Sequence, residues 1–290
     1  MAAVLPPVTR LSSRIIRILG CNPGRMTLQG TNTYVIGTGK RRVLLDTGDP
    51  NVPQYITNLH DVLKKEGVNL EHIIITHWHH DHIGGVKDVM DSVKNDYTPE
   101  VWKFKGSSEC DTELEELVPF SFLKDEQEFA VEGATLKVIH TPGHTSDHII
   151  LCLKEEDVMF SGDCILGEGT AVFEDLHDYM SSLQRILQLK PKIIYPGHGP
   201  SVEDPLPKIQ YYIDHRNQRE KQILEVLYGD PQKSFSEMDI VKIIYKDTHE
   251  SLYAAAAYNV SHHLSKLQKE NKVVKNGEQW QSATKPQASL

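Results

Sequence analysis

The stretch Ile73-Ile-Ile-Thr-His-Trp-His-His-Asp-His-Ile-Gly-Gly85 decides the fold, because an apolar run leads directly into the pattern H-x-H-x-D-H. Consecutive β-branched residues are typical of a buried strand, and the paired glycines favour a tight turn after it. Within the pattern, His77, His79, Asp81 and His82 offer the imidazole and carboxylate ligands that Zn²⁺ binds in proteins. The sequence therefore predicts a metal site directly after a strand.

Three further segments repeat the order of strand, tight glycine turn and ligand-type residue: 138–144, 158–163 and 193–198. With the first stretch they bring together five histidines and two aspartates, namely His77, His79, His82, His144, His198, Asp81 and Asp163. Seven ligands exceed what one tetrahedral zinc uses, so we predict two zinc ions per chain that share a carboxylate. Asp46 ends another strand, and we predict that it orients a histidine instead of binding metal.

Up to Pro205, short apolar runs alternate with helical patterns, which predicts a layered α/β domain. The predicted strands are 33–36, 42–46, 72–76, 101–104, 136–140, 148–153, 158–161 and 192–195. The clearest predicted helices are 52–66, 85–95 and 176–189. Ligand-type residues follow strands repeatedly, so we expect them at one edge of the sheets.

After Pro205 the pattern becomes helical, and a short hairpin closes the chain. The predicted helices are 209–228, 237–245 and 251–270, and the hairpin strands are 273–275 and 278–280. Asn276-Gly277 predicts a two-residue turn with positive φ at both positions. Helices followed by a hairpin resemble a winged helix. We therefore predict a catalytic domain over 1–204 and a small C-terminal helical, winged-helix-like domain over 205–290.

Composition and charge exclude several classes of protein. The 290 residues carry a net charge of −9, which argues against a surface adapted throughout to polyanions. Residues 205–290 hold 12 Lys and Arg against 10 Asp and Glu, a net of +2, so the remainder carries −11. No apolar run reaches about 18 residues, which predicts no membrane contact. The four cysteines show no C-x-x-C pair, which excludes a disulfide scaffold.

The first 45 residues contain seven basic residues and no acid. Such a composition is typical of a transit sequence and predicts the mitochondrial matrix, with the cytoplasm as the alternative. Residues 14–19 are equally consistent with a first strand of the fold.

Five ordered fragments resemble the motifs of the metallo-β-lactamase superfamily: 45–48, 77–82, 142–144, 162–163 and 197–199. The resemblance implies an αββα sandwich with a dinuclear site at one sheet edge. It also implies a role for each ligand: His77, His79 and His144 on the first metal, Asp81, His82 and His198 on the second, and Asp163 bridging. True β-lactamases of this superfamily commonly have Cys in place of Asp163, and we expect the adjacent Cys164 to be a packed residue.

Further segments resemble the mitochondrial endoribonucleases of this superfamily: 21–24, 27–34, 161–169, 172–175 and 215–219. The resemblance implies a metal-dependent endoribonuclease that hydrolyses phosphodiester bonds in single-stranded RNA. The alternative is a glyoxalase II-like thioester hydrolase of the same fold. A binding module with a degenerate site is disfavoured, because the ligand set is complete.

The chemistry expected of two neighbouring cations is activation of a bridging water as hydroxide, so the nucleophile is water and not a side chain. Asp81 is predicted to be catalytic, as a ligand that also steers this nucleophile. The leaving-group acid is not identified, and His80, His148 and His177 are its candidates.

Single-stranded RNA is the predicted partner. Trp78, Tyr179 and Trp280 are candidate stacking aromatics, each with core packing as its alternative. Lys266, Lys269, Lys272 and Lys275 fall along the last helix and the wing, where they either contact RNA or form a solvated face. Asn32 and Thr33 are candidates for a flap beside the metals, with turn formation as the alternative. The oligomeric state does not follow from the sequence, and we assume a monomer.

Overall fold

The computed structural model describes residues 4–93, 96–106, 111 and 118–283. It confirms the predicted α/β sandwich: two β-sheets pack face to face, and helices cover the outer face of each sheet. Helices and a hairpin follow as a C-terminal extension. Among these residues, no helix combines the length and apolar character that a membrane span requires.

The first sheet has seven strands within the described ranges, and their order in the sheet follows their order in the chain. They are β1 (Val8–Arg10), β2 (Ile15–Leu19), β3 (Asn32–Ile36), β4 (Arg41–Leu45), β5 (Asn69–Ile75), β6 (Glu100–Phe104) and β7 (Ser121–Leu123). The strands pair antiparallel from β1 to β4 and parallel from β4 to β7.

The second sheet has five strands in the part of the chain that the structure describes, in the order β12-β11-β10-β9-β8. They are β8 (Glu128–Val131), β9 (Ala134–His140), β10 (Ile149–Leu153), β11 (Val158–Gly162) and β12 (Ile193–Pro196). Since β11 and β12 are parallel and β10 runs antiparallel to both β9 and β11, the carboxyl ends of β9, β11 and β12 share one edge.

The helices that lie wholly within the described ranges are α1 (Pro53–Glu66), α2 (His80–Ile83), α3 (Val86–Ser92), α4 (Leu176–Leu189), α5 (Pro205–Gly229), α6 (Glu237–Ile244) and α7 (Tyr253–Lys269). A 3₁₀ turn (Glu250–Leu252) precedes α7, and a hairpin of β13 (Val273–Asn276) and β14 (Gln279–Ser282) follows it. The predicted helix over 85–95 is shorter than expected, because Val93 is extended, and its last two residues lie outside the described ranges.

The apolar run of β5 shows how the layers form. Successive side chains of a strand point to opposite faces. Ile74 packs between the two sheets, whereas Ile73 and Ile75 pack beneath α1 and α3. A strand buried on both faces therefore needs the continuous apolar sequence that precedes His77.

Helix α5 contributes to two cores. Its first half packs with α4 on the second sheet through Ile209 and Tyr212. Its second half packs with α6, α7 and the hairpin through Ile223 and Leu227. The C-terminal extension is therefore anchored to the sandwich by a continuous helix, and the boundary at residue 204 stays a prediction.

The hairpin corrects the predicted turn. Asn276 pairs with Gln279, so the two loop residues are Gly277 and Glu278, and within this hairpin only Gly277 has positive φ, at 61°. A turn with positive φ at its first central residue alone requires only one glycine. Burial of Trp280, which is 2% exposed, fixes the register, because a one-residue slip turns a side chain to the opposite face. Trp280 is thus a core residue and not a stacking surface.

The predicted lysine series is mostly neutralised by acids. The ion pairs are Lys266 with Glu220 and Glu270, Lys272 with the same two acids, and Lys269 with Asp175. Lys275 lies over the ring of Trp280, 5.1 Å from its centroid. Three of the four lysines are therefore ion-paired, because folding brings Glu220 and Asp175, which are distant in sequence, beside them, and contact of the series with RNA stays a prediction.

Candidate metal centre

Four segments at one edge of the sandwich deliver all seven predicted ligands. The loops follow β5, β9, β11 and β12, and the short α2 supplies the remaining residues. The ligand atoms form two groups, each with its members within 4.8 Å of one another: His77, His79, His144 and Asp163, and Asp81, His82 and His198. The structure thus brings together residues up to 121 positions apart, since His77 and His198 meet at this edge.

In the first group three imidazoles converge on one point. His77 Nε2 lies 3.0 Å from His79 Nδ1, and His144 Nε2 lies 3.2 Å and 3.1 Å from these two nitrogens. At such distances three ring nitrogens cannot all satisfy one another by hydrogen bonding, because a neutral imidazole has one donor and one acceptor. A shared cation satisfies the three lone pairs together.

The second group faces the first across a carboxylate. Asp81 Oδ2 lies 3.1 Å from His198 Nε2 and 3.3 Å from His82 Nε2. Asp163 stands between the groups: its Oδ1 is 3.4 Å from His82 Nε2, and its Oδ2 is 3.7 Å from His144 Nε2. Asp163 Oδ1 is buried without a hydrogen-bond partner in the described structure. Because buried polar atoms normally have a partner, this oxygen is suited to bind a metal ion.

In three of the histidine ligands, the ring nitrogen that faces away from the centre is hydrogen-bonded to another group of the protein. His82 Nδ1 donates to Asp46 Oδ2 at 2.8 Å, and His144 Nδ1 donates to the carbonyl of Val172 at 2.8 Å. His77 Nδ1 donates to the hydroxyl of Thr76 at 2.9 Å, which in turn donates to Asp46. Such bonds fix the tautomer and aim the free lone pair inward. The residues present therefore fit a pair of metal ions.

Asp46 has the orienting role predicted for it. Its two carboxylate oxygens accept from the Thr76 amide, the Thr76 hydroxyl and His82. The residue adopts a positive φ of 59° at the end of β4, which turns the carboxylate toward the neighbouring strand. One side chain thereby supports a histidine of each ligand group, His77 through Thr76 and His82 directly.

The surroundings shift the pKa values of histidines in the two ligand groups in opposite directions. Burial, followed by the neighbouring His144, lowers the pKa of His79 to about 4. Burial also disfavours protonation of His198, but the carboxylates of Asp163 and Asp81 raise its pKa to about 9. Metal ligands must be deprotonated, so cation binding at the second group is expected to release protons.

The three candidate leaving-group acids are not placed for that role. His80 is exposed, and His177 bonds Asp178 beyond the two ligand groups. His148 is buried and supports Asp163: its Nε2 accepts from the Asp163 amide at 3.1 Å. None of the three lines the cavities beside the metal centre.

Asn32 and Thr33 form no flap, because both are buried. The side-chain amide of Asn32 donates to the carbonyls of Pro196 and Gly199 at 2.9 Å each, and so holds the loop that carries His198. Cys164 is fully buried, as expected for a packed residue.

Two adjoining cavities open beside the ligands. The larger has a volume of about 500 Å³ and extends to α5 and α7 of the C-terminal extension. The smaller has a volume of about 270 Å³ and extends to Asp81 and to the loop that holds Arg25. His79, His144 and residues 170–172 line both. The metal centre therefore lies where the two cavities meet.

The aromatic residues predicted from the sequence to stack on RNA bases are poorly placed for that role, and one exposed aromatic residue on the cavity wall was not predicted. Tyr179 is fully buried, and Trp78 is half-buried against His79. The exposed aromatic on the cavity wall is Tyr258, on α7. Its spacing of four residues from His262 places both on one helix face, which is the only sequence signal that points to it.

A buried ion network supports the loop of His144. Lys103 Nζ on β6 is fully buried and contacts Asp111 Oδ1 at 2.6 Å and Asp147 Oδ2 at 2.8 Å. Asp147 also accepts from the hydroxyl of Thr145, the residue after His144. The network therefore connects β6 of the first sheet to the loop of the second sheet that carries His144.

Replacing Lys103 by methionine is expected to destabilise the protein by about 3–5 kcal/mol, because two buried carboxylates lose their cation. Urea unfolding measures the change in the free energy of unfolding. Lys105→Met is the matched control, since Lys105 is exposed two residues away, and we expect a change within about 0.5 kcal/mol. Equal stability of the two variants would contradict a role for the network.

Comparison with known proteins agrees with the fold. Residues 26–198 match the profile described as "Metallo-beta-lactamase superfamily", and residues 236–280 match "Beta-lactamase associated winged helix domain". The winged-helix prediction for the C-terminal extension is thereby confirmed.

Two relatives are similar over most of their length. A Drosophila melanogaster protein named "Beta-lactamase-like protein 2 homolog" is 55% identical and covers 93% of either chain. A Caenorhabditis elegans protein of the same name is 47% identical and covers 93% of this chain and 89% of its own. The crystal structure of a beta-lactamase domain protein from Burkholderia ambifaria has a TM-score of 0.78, covers 97% of this chain and 96% of its own, and shares 17% identity. That likeness concerns the fold alone.

Proposed function

Since the chain belongs to the metallo-beta-lactamase superfamily, whose members are generally metal-dependent hydrolases, we propose that it is an endoribonuclease acting on single-stranded RNA. The observation that carries the proposal is the position of the metal centre between two cavities with a shared wall. A polymer that enters through one cavity and leaves through the other passes the ligands at an internal bond. Cleavage at an internal bond is what defines an endonuclease.

The charges beside the ligands support a phosphodiester substrate. Arg25 lines the smaller cavity and Arg216 the larger, so a cation lies on each side of the centre. Glu168 and Glu174 also line these cavities and the protein as a whole carries −9, so the bound cations together with the arginines would provide the positive charge locally. Phosphates on both sides of the scissile bond are attracted by this arrangement.

The roles of the chain's own residues follow from the geometry. The seven ligands would hold two zinc ions, and the charge of these ions would serve to activate water and to neutralise the reacting phosphate. Thr31 donates its hydroxyl to Asp81 Oδ2 at 3.1 Å and so orients the carboxylate beside His198. Asp81 would accept and hold the proton of the attacking water at Oδ1, because Oδ2 faces His82 and His198 and accepts from Thr31. The side chain is 20% exposed and lines the smaller cavity, so it can reach a substrate.

Zinc is the proposed metal, because five of the seven ligands are histidines. The carboxylates at the second position also suit manganese. Elemental analysis of protein purified without chelator distinguishes the two.

The test of function is incubation of the purified protein with labelled single-stranded RNA and with an acyl-glutathione, each with and without chelator. Circular single-stranded RNA sharpens the test, because only an endonuclease opens a circle. We expect chelator-sensitive opening of the circle. Hydrolysis of acyl-glutathione without RNA cleavage would instead support the glyoxalase II-like thioester hydrolase.

We also propose the mitochondrial matrix as the location, on the basis of the acid-free first 45 residues. Strand β2 is buried and paired on both sides, so cleavage within it would remove part of the fold. Fractionation of cells that express the full chain with a C-terminal tag tests the location, and a purely cytoplasmic signal would contradict it.

A further inference from the structure

The larger cavity has a wall that the metal chemistry does not use. One side is formed by residues 170–174, which follow β11, and the other by α7 of the C-terminal extension. His79 and His144 line its inner end, so a molecule in the cavity lies directly beside the first ligand group. A volume of about 500 Å³ is within the usual range of ligand pockets.

Tyr258 lines this cavity with an exposed ring. The residue is 68% exposed, although tyrosine is usually at least half buried in proteins. Its ring contacts that of His262 in a T-shaped arrangement, with centroids 4.6 Å apart and planes at 82°. His262 in turn makes a T-shaped contact with Phe173 on the opposite wall. The tyrosine ring is therefore supported from one side and open to a ligand.

Arg216 gives the same cavity a positive charge. The side chain is 5% exposed and packs against the rings of Phe173, Tyr179 and Tyr212. It donates to the carbonyls of Tyr212 and Ala171, and within the described ranges no carboxylate forms an ion pair with it. A buried charge without a counter-ion attracts an anion more strongly than a paired one does.

We propose that this cavity is a nucleotide subsite in which a base stacks on Tyr258 and the adjoining phosphate lies on the side of Arg216. The inference rests on the proposed function and extends it by naming where the RNA that flanks the scissile bond is held. Stacking on an aromatic ring accepts every base, because every base has a π-face. The subsite therefore provides affinity with little selection of sequence.

The test compares the metal-loaded protein with Tyr258→Ala, Tyr258→Phe and Tyr258→Trp in steady-state cleavage of single-stranded RNA. We expect alanine to raise KM about tenfold, as is typical for loss of one stacked base, with a smaller change in kcat. Phenylalanine and tryptophan preserve the stacking surface and should keep KM within about threefold of the original value.

Tyr211→Ala is the matched control. Tyr211 is 58% exposed on α5 and does not line the cavity, so its loss removes a similarly exposed ring elsewhere. We expect KM to be unchanged. Thermal unfolding and metal content of all variants should equal those of the original protein, because the substituted side chains are largely exposed.

An RNA that carries 2-aminopurine gives a second readout in the unsubstituted protein. Stacking on Tyr258 should quench its fluorescence on mixing, and Tyr258→Ala should lose the quench. Suppose that the original protein cleaves RNA. A KM of Tyr258→Ala equal to that of the original protein would then overturn the stacking subsite alone, and so would equal defects in the alanine and phenylalanine variants. Failure of the original protein to bind or cleave RNA would overturn the proposed function itself.

Discussion

Replacing Asp163 by alanine is expected to reduce the bound metal from two equivalents per chain to at most one and to lower hydrolysis by about a thousandfold or more. This carboxylate contacts both ligand groups: Oδ1 lies 3.4 Å from His82 Nε2, and Oδ2 lies 3.3 Å from His198 Nε2 and 3.7 Å from His144 Nε2. No other carboxylate among the described residues stands between the groups. Its loss therefore removes the ligand that both metals would share.

Elemental analysis of protein purified without chelator measures the metal, and cleavage of labelled RNA measures hydrolysis. Glu168→Gln is the control for metal content: Glu168 lines the smaller cavity but belongs to neither ligand group, so two equivalents should remain. Two equivalents and unchanged hydrolysis in Asp163→Ala would contradict the bridging role.

The metal centre is predictable from the sequence because each ligand follows a strand closely. His77 comes directly after the buried run of β5, and Asp163 after that of β11. A buried strand has a strong apolar signal, and parallel or alternating strands bring their loops to the same edge. Local pattern and global placement therefore agree at this site. The orienting role of Asp46 follows for the same reason.

The elements that were missed have weaker local signals. Strands β1, β7 and β8 have three or four residues each, with exposed positions among them, so no run or alternation distinguishes them from loops. They form because neighbouring strands offer unpaired backbone groups. The hairpin turn was misplaced by one residue, because burial of Trp280 and not the Asn-Gly pair sets its register.

The walls of the larger cavity depend on contacts between distant segments. Tyr258 and Ala171 approach the same cavity although 87 residues separate them. Their meeting requires α5 to join the sandwich and the C-terminal extension in one helix. The ion pairs of the lysines in the extension were not predicted for the same reason, since Lys269 meets Asp175 only in the folded chain. Sequence spacing carries no information on such pairs.

Replacing Asp81 by alanine is expected to lower kcat by about a hundredfold or more, while the fold is retained. The carboxylate is the most exposed of the three ligands in its group, and it accepts a hydrogen bond from Thr31, whereas His82 and His198 are almost fully buried. Its contribution to packing is therefore small, but it alone offers the second group an oxygen that can take a proton. The loss should appear in kcat more than in KM.

Two further variants make the result specific. Thr31→Val keeps the carboxylate of Asp81 but removes the hydroxyl that donates to it and accepts from Asn22, and should give a smaller defect of about tenfold. Asp91→Ala removes an exposed carboxylate on α3, ten residues further along the chain, and should leave kcat unchanged. Thermal unfolding and metal analysis establish that each variant is folded and loaded. Activity near that of the original protein in folded, metal-loaded Asp81→Ala would contradict a catalytic role, because a carboxylate that holds the proton of the attacking water cannot be replaced by a methyl group without cost to kcat.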